Sequence, residues 1–194
     1  LWRWVQARAP YLSVHAKPWP GPDAAVRMVV EGTCDLMVAP LEPLPAKLHA
    51  LKLSRSDFVG IARPGHSILK RPSRERFMAQ RHVVVSSDGL FPNRIDLALR
   101  RQGVTRDIGL VVPSHMLVAG LVANSDLLGI VPDGLVERRA DVAKFKLPFD
   151  LPGFDAGVVW HERSERDVGI SGLRDGIKEL VEMAITAGYL RPCD

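Results

Sequence analysis

Cysteine is scarce in this chain. Only two of its 194 residues are cysteine, Cys34 and Cys193. They lie too far apart to form a CxxC redox pair or a zinc knuckle. Two solitary thiols suit a reducing cytoplasm, where they stay free, and Cys34 reads as a packed core thiol. The six histidines (His15, His49, His66, His82, His115 and His161) include no pair four residues apart. No HExxH occurs, so no metal is expected. GxGxxG, GxxxxGK[ST] and GxSxG are also missing, which removes the usual signals for dinucleotides, phosphate loops and the nucleophile elbow. No cofactor is expected. A set of Ser86 or Ser87 with His115 and an aspartate has no elbow motif behind it, and the chain reads as a non-enzyme. No apolar run is long enough to span a membrane, and nothing resembles a signal peptide. The net charge of +4 is mild. The pairs Arg100–Arg101 and Arg138–Arg139 read as solvated helix faces, not as the basic stripe of a nucleic-acid footprint.

What the chain does contain is a repeat. Residues 1–40 read as helix (LWRWVQAR), strand (YLSVHA), helix (DAAVRMVVEG) and strand (DLMVAP). Residues 94–132 read the same way: RIDLALRRQG, IGLVV, HMLVAGLVANS and DLLGIVP. Asp35 and Asp126 open the last strand of each copy, and Pro40 and Pro132 close it. Two similar α/β lobes imply a cleft between them, and such clefts hold small ligands. Leu1, Trp4 and Val5 share one face of a helix with no cap before it, so the natural protein is expected to extend upstream.

Within the first copy, Leu12–Lys17 alternates as a strand. Leu36–Ala39 is a continuous apolar run, the mark of a parallel strand buried on both faces. Lys47–Ser54 and Asp57–Arg63 read as strands, followed by a crossing at Arg63-Pro64-Gly65-His66. Arg74–Gln80 is a helix capped by Ser73, and His82–Ser86 is a valine-rich strand ending in the turn Ser86-Ser87-Asp88-Gly89. Asp133–Arg139 is a short helix, Lys144–Leu147 an edge strand and Pro148–Pro152 the return crossing. A last strand, Ala156–His161, and a long helix, Val168–Ala187, then rejoin the first lobe. The expected division is lobe I at 1–63 plus 149–194 and lobe II at 64–148, with two crossovers that act as a hinge.

Binding is better supported than catalysis. Ser86 and Ser87 follow the carboxyl end of a strand, where ligands of open α/β sheets sit. Ser114 precedes a helix, whose free N–H groups suit a carboxylate or phosphate. Trp19 and Gly21 occupy the equivalent loop of the first copy. Each has a plainer role as well: a cap for Ser114, turn formers for Ser86 and Ser87, and a loop aromatic over the core for Trp19. His115 is either a pH-sensitive ligand contact or a first-turn residue.

VVEGTCDLMVAP, FVGIARPGHSILK, RHVVVSSDG, VVPSHMLVAGLVANSDLLGIVPDGLVE and LPFDLPGFDAGVVWHERSERDVGISGLRD, in this order and spacing, resemble the effector-binding domain of LysR-type transcriptional regulators. The resemblance covers nearly the whole chain. It implies a two-lobed fold like type II periplasmic binding proteins, with its first strand and an upstream winged helix-turn-helix outside this sequence. It also implies a small-molecule effector in the cleft, DNA contact through the upstream domain, no membrane, and a cytoplasmic homodimer or tetramer. The cleft loops then map to Trp19, Gly21, Leu41, Ser86, Ser87, Ser114, His115 and Phe149. The last segment most resembles regulators of aromatic degradation and nodulation, which suggests an aromatic acid or phenolic effector. Domain pairing would use Leu1–Ala16 against Arg94–Val112 of another copy. The alternative is an extracytoplasmic solute-binding protein of a transporter, which shares the fold and would carry a signal peptide upstream.

Overall fold

A computed structural model describes residues 1–194 except Asp88, Leu90 and Asp194. The chain forms two compact units, Leu1–Ser56 with Phe154–Asp194, and Asp57–Gly153.

In the first unit, α1 (Trp2–Arg8) packs on the long helix α6 (Val168–Thr186). Val5 is buried, and the Trp4 ring lies against Gly176, where a Cβ would stand 2.7 Å from the indole. The Trp4 Nε1–H donates to Glu179 at 2.8 Å. Helix α2 (Pro22–Glu31) starts on a proline, whose fixed φ suits the first turn. It ends at Gly32, which holds a left-handed φ of 77°. Its buried face, Ala25 and Val29, packs with Met37, Ala39, Leu48 and Val159 of a three-stranded antiparallel sheet. That sheet has the order β1 (Leu36–Pro40), β8 (Phe154–His161), β2 (Leu48–Ser56).

The second unit holds β3 (Phe58–Ala62), α3 (Arg74–Met78), β4 (Arg81–Val85), α4 (Arg94–Arg100), β5 (Asp107–Val112), α5 (His115–Ala123), β6 (Leu128–Pro132) and β7 (Ala143–Phe145). Its sheet runs β5-β4-β6-β3-β7, with β4 parallel to both β5 and β6. Apolar clusters cover both faces. Phe77, Leu99, Leu128 and Phe145 belong to one, and Val83, Val118, Val122 and Val131 to the other. That is why VVV in β4 reads as an unbroken apolar run. Gly60 of β3 is needed because the Phe145 ring lies over it; a Cβ there would fall 2.4 Å from the ring.

Four expectations are corrected. First, Leu12–Lys17 is not a strand. In the second unit the matching strand, β5, pairs with β4. Among the described residues of the first unit no strand stands where β4 stands. Residues 12–17 therefore have no ladder to join, and Tyr11 and Val14 are exposed. Second, β1 pairs antiparallel with β8, not in parallel, and its burial alternates, with Val38 more than half exposed. Third, the boundary falls at 56/57 rather than 63/64, because β3 pairs with β6 and β7. Its return falls at 153/154 rather than 148/149, because Phe149 is packed edge-on against Phe77 at 5.0 Å. Fourth, Asp133–Arg139 shortens to one 3-10 turn, Asp133–Leu135, held by the Asp133 backbone and carboxylate on Asp57 and Gly134.

Candidate functional site

In the second unit the parallel register sets Val85 of β4 beside Val112 of β5. The Ser86 N–H then donates to the Val112 carbonyl at 2.9 Å. Both strands point their carboxyl ends the same way, so Ser86 and Ser87 emerge next to Ser114 and His115. Ser86 is buried and Ser87 half-buried; Asp88, from the same turn, lies outside the described residues. Ser114 caps α5, its hydroxyl accepting from the Met116 N–H at 3.2 Å. His115 opens that helix half-buried. Burial pulls its imidazole below the usual histidine value, so at neutral pH it is uncharged. The group combines hydroxyls, a neutral imidazole and the positive end of a helix. It can take up an anionic or hydroxylated organic molecule.

In the first unit, Gly21 is the N-cap of α2, with a φ of 96° that a side chain would strain. Trp19 is 40% exposed two residues earlier. Leu41 follows the carboxyl end of β1, and its side chain covers Gly157. Trp19 and Gly21 thus precede α2 as Ser114 precedes α5, and Leu41 follows β1. Phe149 does not belong with them. It is 7% exposed inside an apolar cluster with Phe77 and Leu99, so it shapes the core of the second unit and is removed from the set.

Two histidines in the resemblance motifs turn out to be caps. The His66 Nδ1 accepts from the Ile68 N–H, and the His161 Nδ1 from the Arg163 N–H, both at 3.1 Å. Each ends a sheet connection by starting a 3-10 turn. Trp160 is held by the Glu165 carboxylate on its Nε1–H and by the Arg174 guanidinium stacked 4.1 Å above its ring. Sequence reasoning missed a buried group in the second unit: His82, Asp96 and Arg106. The only advance signal was Asn93-x-x-Asp96 ahead of an apolar run, the pattern of a capping box, which the structure contains. Among the described residues no cluster of His, Cys, Asp and Glu is placed to hold a metal ion. No described helix is long and apolar enough to cross a membrane.

The LysR substrate binding domain family model matches residues 6–182. The chain belongs to that family. It is 30% identical over 190 residues to the HTH-type transcriptional regulator SyrM of Rhizobium meliloti, covering 95% of this chain and 56% of SyrM. This LysR domain thus spans about half the length of that relative. Among solved structures it is similar to the regulatory domain of MexT, a transcriptional activator in Pseudomonas aeruginosa. That likeness has a TM-score of 0.71 and 22% identity over 92% of this chain and 88% of the other. It is also similar to the effector binding domain of QuiR in complex with shikimate, with a TM-score of 0.68 and 12% identity over 94% and 88%. These structural likenesses show the fold. In sequence and fold the chain is a LysR effector-binding domain, α/β in two units, and its named relatives are regulators rather than transport proteins.

Proposed function

We propose that this LysR domain senses a small organic acid, aromatic or cyclic and hydroxylated, for a cytoplasmic DNA-binding regulator. The observation that carries this reading is the meeting of Ser86, Ser87, Ser114 and His115 at the carboxyl ends of β4 and β5. The helix end and hydroxyls receive a carboxylate. Neutral His115 accepts or donates one hydrogen bond to a ring hydroxyl. The shikimate bound to QuiR, a hydroxylated cyclic acid, supports this ligand class.

Self-association would use Leu1–Ala16 and Arg94–Val112. The second of these stretches contains the edge strand β5, and its Leu97, Leu110 and Val111 are all more than a third exposed, an open edge with exposed apolar side chains that pairing would cover. The effector then acts as a population shift. It favours one oligomer geometry by no more than its differential affinity, and so sets the spacing of the DNA-reading heads.

The test is a thermal-shift and calorimetry screen of this domain with benzoates, phenolics and shikimate-type acids. The expected result is saturable stabilisation by a carboxylic acid, weakened at least tenfold by His115→Ala with the melting temperature of the free protein kept. Saturable binding that is indifferent to His115→Ala, or binding by uncharged phenolics only, overturns this assignment of the site.

A further inference from the structure

The buried polar group of the second unit closes on itself. The Asn93 side chain donates to the carbonyl of Val85, the last residue of β4, at 2.9 Å. Asn93 and Asp96 exchange hydrogen bonds in the capping box at the start of α4. The Asp96 Oδ1 accepts from the Arg106 Nε–H at 2.8 Å, and Arg106 Nη2 stands 2.7 Å from the same oxygen. Both side chains are almost wholly buried. The next residue, Asp107, opens β5, and its carbonyl lies 3.3 Å from His82 Nδ1. His82 sits back on β4, three residues before Val85, and is 0% exposed. The contacts therefore run β4, α4, β5 and back to β4.

One atom of this ring, His82 Nε2, is buried without a hydrogen-bond partner among the described residues, and Arg106 Nη2 reaches only the Asp96 oxygen that already accepts from Nε–H. With Nδ1–H given to the Asp107 carbonyl, Nε2 carries only a lone pair. Against an imidazolium stand the burial of the ring and the Arg106 charge, and only the Asp107 carbonyl favours it. Helix α3 presents the Phe77 ring at 4.4 Å. The register partners are Ile108 of β5 and Leu128 of β6. The segment before β5 presents the Arg106 cation. The nearby carboxylate, Asp96, is taken by Arg106, and the Asp107 side chain pairs outward with Arg81 on the exposed surface.

We propose that this ring is an acid-sensitive latch on the edge of the second unit: neutral His82 holds α4 and β5 against β4, and its protonation releases them. Protonation puts a second cation beside Arg106 and a new N–H at Nε2 with no acceptor, so it favours an opening in which the imidazolium and Arg106 reach water. Burial and the Arg106 charge together hold the His82 imidazole down to about 4. The latch is therefore closed at neutral pH and is stressed as the medium turns acidic. Elements α4 and β5 also form the surface put forward for self-association; the latch itself does not rest on that reading.

Hydrogen exchange of the 194-residue domain, corrected for intrinsic rates, tests this at pH 7.0 and 5.0. The expected result is at least a tenfold loss of protection at pH 5.0 within residues 94–112, through a local opening that leaves β3, β6 and β7 better protected than that segment. His82→Phe should abolish that pH response. Protection within residues 94–112 that only matches that of β3, β6 and β7 at both pH values, or the same local loss in His82→Phe, overturns the latch. If His82→Phe does not fold, imidazole NMR of the unaltered protein decides. A neutral Nδ1–H tautomer at pH 7 that persists below pH 5 supports the latch, and titration in the ordinary histidine range overturns it. Sedimentation under the same conditions separates the two ideas. Local loosening without any change in association overturns pairing through this edge and leaves the latch standing.

Discussion

The burial of His82 makes the stability of the second unit depend on acid, and the size follows from the structure. The imidazole is held at about 4 in the folded chain, first by desolvation and second by Arg106, against roughly 6.5 when unfolded. The folded value is the lower one, so the unfolded chain binds the proton more readily. Stability is therefore full above pH 6.5 and falls as the pH drops from 6.5 towards 4. The loss should reach about 2 kcal/mol at pH 5 and about 3 kcal/mol by pH 4, since each tenfold difference in proton affinity is worth about 1.36 kcal/mol. Urea unfolding followed from pH 7.5 to 4.5 measures it. His82→Leu provides the reference, because it carries every other titration of the chain. Curves for the two proteins that stay parallel to within about 0.5 kcal/mol over this range would refute the reasoning, since the difference expected is several times larger.

Three more outcomes follow from the packing and the caps. Gly60→Ala should destabilise the second unit by about 1–3 kcal/mol in denaturant titrations, because the Phe145 ring must leave its place over the backbone. Ser114→Ala should cost about 1 kcal/mol in the same assay through loss of the α5 cap, and should weaken effector binding further; calorimetry separates the two effects. Arg174→Leu removes the cation over Trp160 and one partner of Glu165. It should lower stability by about 1 kcal/mol and shift the tryptophan emission.

Much of this protein was legible without coordinates, and the failures have physical causes. Helix α2 could be placed from Pro22 and Gly32, and α5 from Ser114, because caps and turn residues act over three or four neighbours. β4 was legible as VVV because a strand covered on both faces has no polar side to show. Leu12–Lys17 failed for the opposite reason. Its alternation is that of a strand, but a strand exists only beside a partner, and none is present for it among the described residues. Of the candidate site, Ser86, Ser87, Ser114 and His115 were chosen as loop residues at strand and helix ends, and the parallel register of β4 and β5 brings them side by side. Phe149 was misplaced because sequence position near a crossing says nothing of which core an aromatic ring will fill.

The amino-acid sequence by itself determined the local elements, the doubled α/β pattern and the family, since these depend on periodicity, capping and motif order within short stretches. The tertiary structure alone decided that β3 belongs to the second unit and that β1 runs antiparallel to β8. It alone turned His66 and His161 into caps and closed His82, Asp96 and Arg106 into one buried ring. Strand pairing and burial are relations between residues distant in the chain. Whether a histidine is a cap, a ligand contact or a suppressed base is set by the groups that folding places against it.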